Sequence, residues 1–254
     1  TEALNALEKE TESHPFRESF KEYIDNARLV LENKEVNFSE TKVSKLLGYG
    51  TPNQQAYDEK FKLGNEHIAN TEVNGGMYPS SKIEYMYDNN PNTHWETNRS
   101  NGNGFTNEVT FTFDEVQELD RIALLPRSVN QKGFPTKYEI YASETSKGDT
   151  FKLVSKGTAQ VTKDFMQFKF NPTNFKRLKF VFKECHENRP FISEARFYKQ
   201  DVVSEKMETL FTDSNKNKVN PDFATLDKLT DLENECNEHP LYTQFNEDLN
   251  DAIY

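Results

Sequence analysis

Cysteine is scarce in this chain, with two residues among 254, Cys185 and Cys236, and neither stands in a metal-type spacing. That excludes a disulfide framework and a zinc site built on thiolates, and it leaves two unpaired thiols as the expectation. Long apolar runs are absent too, as is a leader pattern, so no membrane insertion is expected. An excess of basic residues is lacking, because 31 Lys and Arg face 42 Asp and Glu. A phosphate-binding surface needs a basic patch, so nucleic acid and anionic lipid are excluded as partners. Catalytic signatures are missing as well: no HExxH, no GxSxG, no phosphate-binding glycine loop. The chain is therefore expected not to be an enzyme.

What remains is patterned. Acidic charge lies in the flanks: residues 1–63 carry 9 basic and 12 acidic side chains, 64–200 carry 18 and 17, and 201–254 carry 4 and 13. The 20 Phe and 11 Tyr gather in the neutral middle, as a sheet core requires. The segments 1–63 and 201–254 read as helix and 64–200 as β.

In the first segment Leu4 and Leu7 mark one helical face, His14-Pro15 interrupts, and Phe16, Phe20, Tyr23, Ile24, Ala27 and Leu31 recur at helical spacing. Ser39 is placed to cap a further helix with Val43, Leu46 and Leu47 on its apolar face, and Gly48 to Asn53 is a stop. The last segment repeats the first. Leu7 to Ala27 aligns with Leu232 to Ala252 at a fixed offset of 225, with His14/His239, Pro15/Pro240, Phe20/Phe245 and Glu10/Glu235 among the identities and Leu4/Leu229 extending the match. A recurring helical unit around a β domain points to a longer array, of which this chain, beginning at Thr1, is expected to be a monomeric piece. The repeated His is expected to pack or cap at the helix junction; with no second ligand nearby it is no metal site.

From Gly64 the period changes to two. Val109 to Phe113, Arg121 to Leu125, Tyr138 to Ser143, Phe151 to Ser155, Met166 to Phe170, Leu178 to Phe182 and Ser193 to Tyr198 read as short strands, with turns at Asn74-Gly75 and Asn101-Gly102. Nothing between them is long enough for a crossover helix, so an antiparallel sandwich is expected. Tyr87 to Glu96, YDNNPNTHWE, stands out within it: a Pro-broken loop of Asp, Asn and Thr oxygens runs straight into the one Trp. Hard oxygen donors followed by a large apolar ring suggest a cation-braced turn leading into a core, with Trp95 packed inside.

The order SSKIEYMYDNNPNTHWET, NEVTFTF, ELDRIALLPR, GFPTKYEIYAS, KRLKFVF and ISEARFYK resembles the discoidin domain, also called the coagulation factor V/VIII type C domain, whose bacterial branch includes carbohydrate-binding modules of family 32. The likeness covers roughly residues 66–200. It implies a mainly β fold, an eight-stranded antiparallel jelly-roll sandwich like that of galactose-binding domains, with a shallow binding face at one end. The repeated helical flanks around such a domain resemble accessory regions of large secreted Firmicute proteins, among them enhancin-like metallopeptidases.

The resemblance carries residues with it. It implies a structural calcium held by Asp88, Asn90, Thr93 and Glu194, with Asn89 in a turn position where the family often has Gly. For sugar binding it places Arg127 at the family's Arg. Lys132 stands where an Asn often precedes the Gly, with Asn130 close by, and Arg189 stands where the platform aromatic is often found. Phe191 is either that platform shifted by two or a core residue. Tyr78, Arg99, Asn101, Asn103 and Phe105 lie in loops expected at the same end. The function implied is a non-catalytic glycan-binding module that holds a larger secreted or cell-wall-associated enzyme on host glycans such as mucin. The alternative is a structural spacer or a protein-interaction or adhesion module without sugar binding.

Overall fold

A computed structural model describes residues 2–11, 24, 36–38, 47, 50–212, 216 and 218–253. In chain order the elements are α1 (Glu2–Thr11), β1 (Val36–Phe38), α2 (Pro52–Phe61), β2 (Ile68–Val73), β3 (Trp95–Glu96), β4 (Asn107–Pro126), β5 (Pro135–Ser143), β6 (Lys152–Ala159), β7 (Met166–Cys185), β8 (Phe191–Tyr198), α3 (Val202–Glu208), α4 (Leu226–Cys236) and α5 (Tyr242–Ile253). The expected His14-Pro15 junction and the helix after Ser39 lie outside the described residues. Leu47, from the face expected there, is buried in a helical cluster.

Two strands of 20 residues, β4 and β7, run antiparallel to each other and serve both layers of a sandwich. The first part of β4 pairs with β2 on one side and with the second part of β7 on the other, and β7 passes the ladder on to β5 and β6. The second part of β4 pairs with β8, which pairs with β3. Register shifts between Thr112 and Gln117 and between Leu119 and Arg121 mark where the ladder bends from one layer to the other. Bulges of this kind let one strand turn a sandwich corner without ending. Separate strands expected at Val109 to Phe113 and Arg121 to Leu125 are thus one. The seven strands β2 to β8 are antiparallel; the eighth, β1, comes from the helical segment and adds in parallel at the β6 edge.

Alternation along β4 and β8 puts a core on each side of the second sheet. Ile122, Leu124 and Phe197 face the sandwich interior, while Ala123, Leu125 and Tyr198 face outward into a second apolar cluster with Tyr57, Met207, Leu210, Leu232 and Phe245. The interior holds Trp95, fully buried and 6.1 Å from Phe182, together with edge-to-face rings such as Phe113 and Phe197 at 5.1 Å. Helices α2 to α5 therefore form a third layer on the sandwich.

Helix α2 begins inside the stretch read as a stop. Thr51 caps it by accepting from the Gln54 amide, and Pro52 occupies the first turn, where a missing N–H costs nothing. Its Tyr57 donates to Asp201 at 2.8 Å, and its Asp58 accepts from Tyr198 at 2.7 Å and pairs with Arg196. His239 packs at the α4–α5 junction as expected, against Phe245 at 4.9 Å and Phe61 at 5.4 Å. Cys185 and Cys236 are free and buried. No described helix is long and apolar enough to cross a membrane.

Candidate functional site

Trp95 turns inward on β3, so its neighbours His94 and Glu96 turn toward the loops at the end of the sandwich. The β4–β5 loop brings Arg127 and Lys132 there, and the β7–β8 loop brings Glu187 and Arg189. At the centre is the Phe191 ring, which is 1% exposed. Arg189, Arg127 and Lys132 stand 5.2, 5.6 and 5.7 Å from its centroid, and the His94 ring stands 5.9 Å away. Of the two readings of Phe191, the structure selects the buried one: the ring is a floor under cations, and the open platform is absent because those side chains cover it.

The cations differ in their partners. Arg189 pairs with Glu96 at 2.5 Å and Lys132 with Glu187 at 2.7 Å. Arg127 has no ion pair or hydrogen bond among the described residues. Burial first, and then the Arg127 charge, hold the His94 imidazole below its ordinary value against the pull of Glu96, so it stays neutral near pH 7. Arg189 also lies 5.5 Å over the ring of Tyr78, which is 43% exposed. The site thus presents an uncommitted guanidinium, a neutral imidazole and an exposed aromatic edge, which suits a hydroxyl-rich ligand.

Gly133 makes this packing possible. Its φ is +77°, and a Cβ there would lie 2.3 Å from the Phe191 nitrogen and 2.6 Å from the Arg189 carbonyl oxygen. The Gly133 amide donates to His186 and its carbonyl accepts from Phe191, tying the two loops together.

The other loop residues divide. Arg99 stacks 3.6 Å over Phe105, and Asn103 is exposed with φ +51°. Asn101 is a staple: its side chain donates to the Phe182 carbonyl at 2.6 Å and accepts from the Asn107 amide at 2.8 Å, while its own amide donates to Asn188. Asn130 is exposed with φ +60°. His94 and Glu96 were not singled out from sequence; their place on either side of an inward Trp was the available signal.

A second group gathers beside β8. Asp88 accepts from the Asn90 amide at 2.9 Å and from the Thr93 hydroxyl at 2.8 Å, and that hydroxyl also lies 2.7 Å from the Asn90 carbonyl. Asn89 holds φ +59°, the left-handed geometry expected of it. Glu194 is fully buried, and neither of its carboxylate oxygens has a hydrogen-bond partner. Burial pushes its carboxyl up to about 8, with the Arg196 charge opposing and the Asp88 carboxylate adding to the rise. Lys62, held 3.2 Å from the Asn89 side-chain oxygen, supplies partial compensation. An orphaned buried carboxylate next to a second carboxylate, with hydroxyl and carbonyl oxygens at hand, is a donor set that fits a hard divalent cation.

The F5/8 type C domain profile matches residues 67–197. Among solved structures, the CBM32-1 and CBM32-2 domains of Clostridium perfringens ZmpB share 45% identity with this chain, at a TM-score of 0.76 and with 81% of this chain and 54% of that one covered. The same pair in complex with GalNAc gives a TM-score of 0.75 and 45% identity, covering 81% and 53%. A structure that adds the M60 catalytic domain of ZmpB is matched over 81% of this chain and 22% of its own length, at 45% identity and a TM-score of 0.76. This chain thus spans about half of the two-domain relatives. No curated protein sequence matches. The chain belongs to the F5/8 type C domain family.

Proposed function

We propose that this chain is a non-catalytic glycan-binding module of a larger secreted bacterial protein and that it takes a terminal sugar of the galactose type, such as GalNAc, at the loops around Phe191. The carrying observation is Arg127, whose guanidinium is free of ion pairs and stands beside the neutral His94 over the Phe191 floor. Two N–H donors from a planar guanidinium and one imidazole nitrogen read ring hydroxyls, and the Tyr78 edge offers an apolar surface to a sugar face. Lys132 and Arg189 serve by holding Glu187 and Glu96, not by meeting a ligand charge. The GalNAc complex of the 45% identical relative supports the sugar class. Such a module raises the local concentration of an attached catalytic domain on its substrate.

Asp88, Asn90, Thr93 and Glu194 would hold a structural calcium. The ion would supply the positive charge that the buried Glu194 lacks and tie the Tyr87–Glu96 loop to β8. The test of function is a glycan array, followed by calorimetry, with the chain and an Arg127→Ala variant in calcium-containing buffer. Selective binding to galactose-type termini that disappears in the variant is expected; no binding by a folded, calcium-loaded chain would overturn the reading.

A further inference from the structure

The helical repeat has one copy whose surroundings are fully described. In it Leu229, Leu232, Leu241, Phe245 and Leu249 are buried, and they share one apolar cluster with Ala123, Leu125 and Tyr198 on the outer face of the sandwich. Subtracting the offset of 225 gives Leu4, Leu7, Phe16, Phe20 and Ile24, all apolar. These five leucine and phenylalanine positions are therefore apolar in both copies, while Cys236, Tyr242 and Ile253 of the same cluster are matched by Thr11, Arg17 and Arg28. Burial is not shared. Leu232 is 2% exposed, whereas its counterpart Leu7, on α1, is 46% exposed. Ile24 is buried, so the first copy finds cover for part of its face within the chain and leaves Leu7 of α1 open. A single exposed Leu needs no explanation. An exposed Leu at a repeat position whose twin is fully covered does.

What covers the twin identifies the partner. The outer face of this sandwich is already filled by α4 and α5, so α1 has no matching surface left here. We propose that α1 docks on the outer sheet face of another F5/8 type C sandwich, in the place that α4 takes on this one. Charge supports the assignment. Lys206, at the end of α3, pairs with Glu235 of α4 at 2.5 Å, and Glu235 is matched by Glu10 of α1, which is exposed. Glu10 would meet the Lys206 counterpart of a neighbouring module. Modules of this kind do stand in tandem: the 45% identical relative is a two-domain chain of which this one covers 54%. The helical segment is then a joint, its first part packed on one sandwich and α2, which follows it, packed on the next. Successive binding faces would be held in a set orientation.

The test uses a tandem protein in which residues 1–225 are followed directly by residues 1–254, so that the second Leu7 falls where Leu232 stands. In the single chain, Leu7→Glu should leave Tm unchanged and Leu232→Glu should lower it by roughly 5 °C or more, since a carboxylate replaces a buried methyl cluster. In the tandem protein, Leu7→Glu in the second copy should lower the Tm of the first module by a similar amount. Hydrogen exchange of the unsubstituted tandem protein keeps the test decisive if a variant fails to fold. There the second α1 should exchange at least tenfold more slowly than α1 of the single chain. Equal exchange rates, or a Leu7→Glu tandem protein that melts like its parent, would overturn the proposal.

Discussion

The Nε2 nitrogen of His239 lies 3.1 Å from a carboxylate oxygen of Asp201, and both residues are buried. The other ring nitrogen, Nδ1, accepts from the Leu241 amide at 3.1 Å, so Nε2 carries the proton and donates to Asp201. Asp201 also takes the Tyr57 hydroxyl and caps α3 through the Ser204 amide. One carboxylate thus joins α2, α3 and the α4–α5 junction across 182 residues of chain, from Tyr57 to His239. The packing role expected for the repeated His is met at His239, and its physical form there is a buried three-way bond.

That bond has a pH signature. Burial alone would raise the Asp201 carboxyl, but the donors from His239 and Ser204 outweigh it and hold the group well below the usual carboxylate range. A depressed folded value gives stability that is fully present above the unfolded value of about 4 and is lost as pH falls below it. Asp201→Asn should cost about 2–4 kcal/mol near neutral pH. Thermal melts from pH 6 down to pH 3 should show the gap between the two proteins shrinking; a gap of constant size would refute the linkage.

Calcium should stabilise the fold through Glu194. Saturating calcium is expected to raise Tm by roughly 5–10 °C over chelator-treated protein, in line with about 3–4 kcal/mol of ligand linkage in a domain of this size. Glu194→Gln should lose that response. A variant that responds like the parent would place the ion elsewhere, and a parent with no response would remove it.

Gly133→Ala should damage fold and site together. A Cβ at φ +77° would press on the backbone of Phe191 and Arg189, which are not free to yield. We expect a loss of about 2–3 kcal/mol in denaturant melts and at least tenfold weaker sugar binding. A variant with unchanged affinity would show that the two loops need not be locked for recognition.

Sugar affinity should depend on His94. Its imidazole is neutral near pH 7 because burial and Arg127 lower its titration below the ordinary 6.5. Affinity for a neutral sugar should be flat from pH 8 to 7 and decline only once pH has fallen below the ordinary imidazole range, where a second cation forms beside Arg127. Calorimetry across that range, with His94→Gln as the control that flattens the profile, checks it.

Reading the sequence located the strands because period-two alternation along Val109 to Phe113 and Leu178 to Phe182 is a local consequence of one face being buried. It missed that β4 and β7 each run unbroken through the corner, since a bulge leaves no residue-type signal in Asp114 to Glu118. Within residues 1–63, read as helical, it did not place the start of α2, because the Thr51 cap and Pro52 sit in a stretch rich in turn residues.

At the candidate site, Arg127 and the oxygen loop were legible because each lies in a short contiguous motif. The pairing of Arg189 with Glu96 was not, as it joins residues 93 positions apart. The burial of Phe191 was hidden for the same reason: three cations from two loops cover a ring that looks available in one dimension. The sequence by itself determined the β period, the internal repeat and the family. Only the tertiary structure decided which cations are neutralised, where the helices dock and which Leu of the repeat is left uncovered, because those depend on contacts between segments that no local pattern encodes.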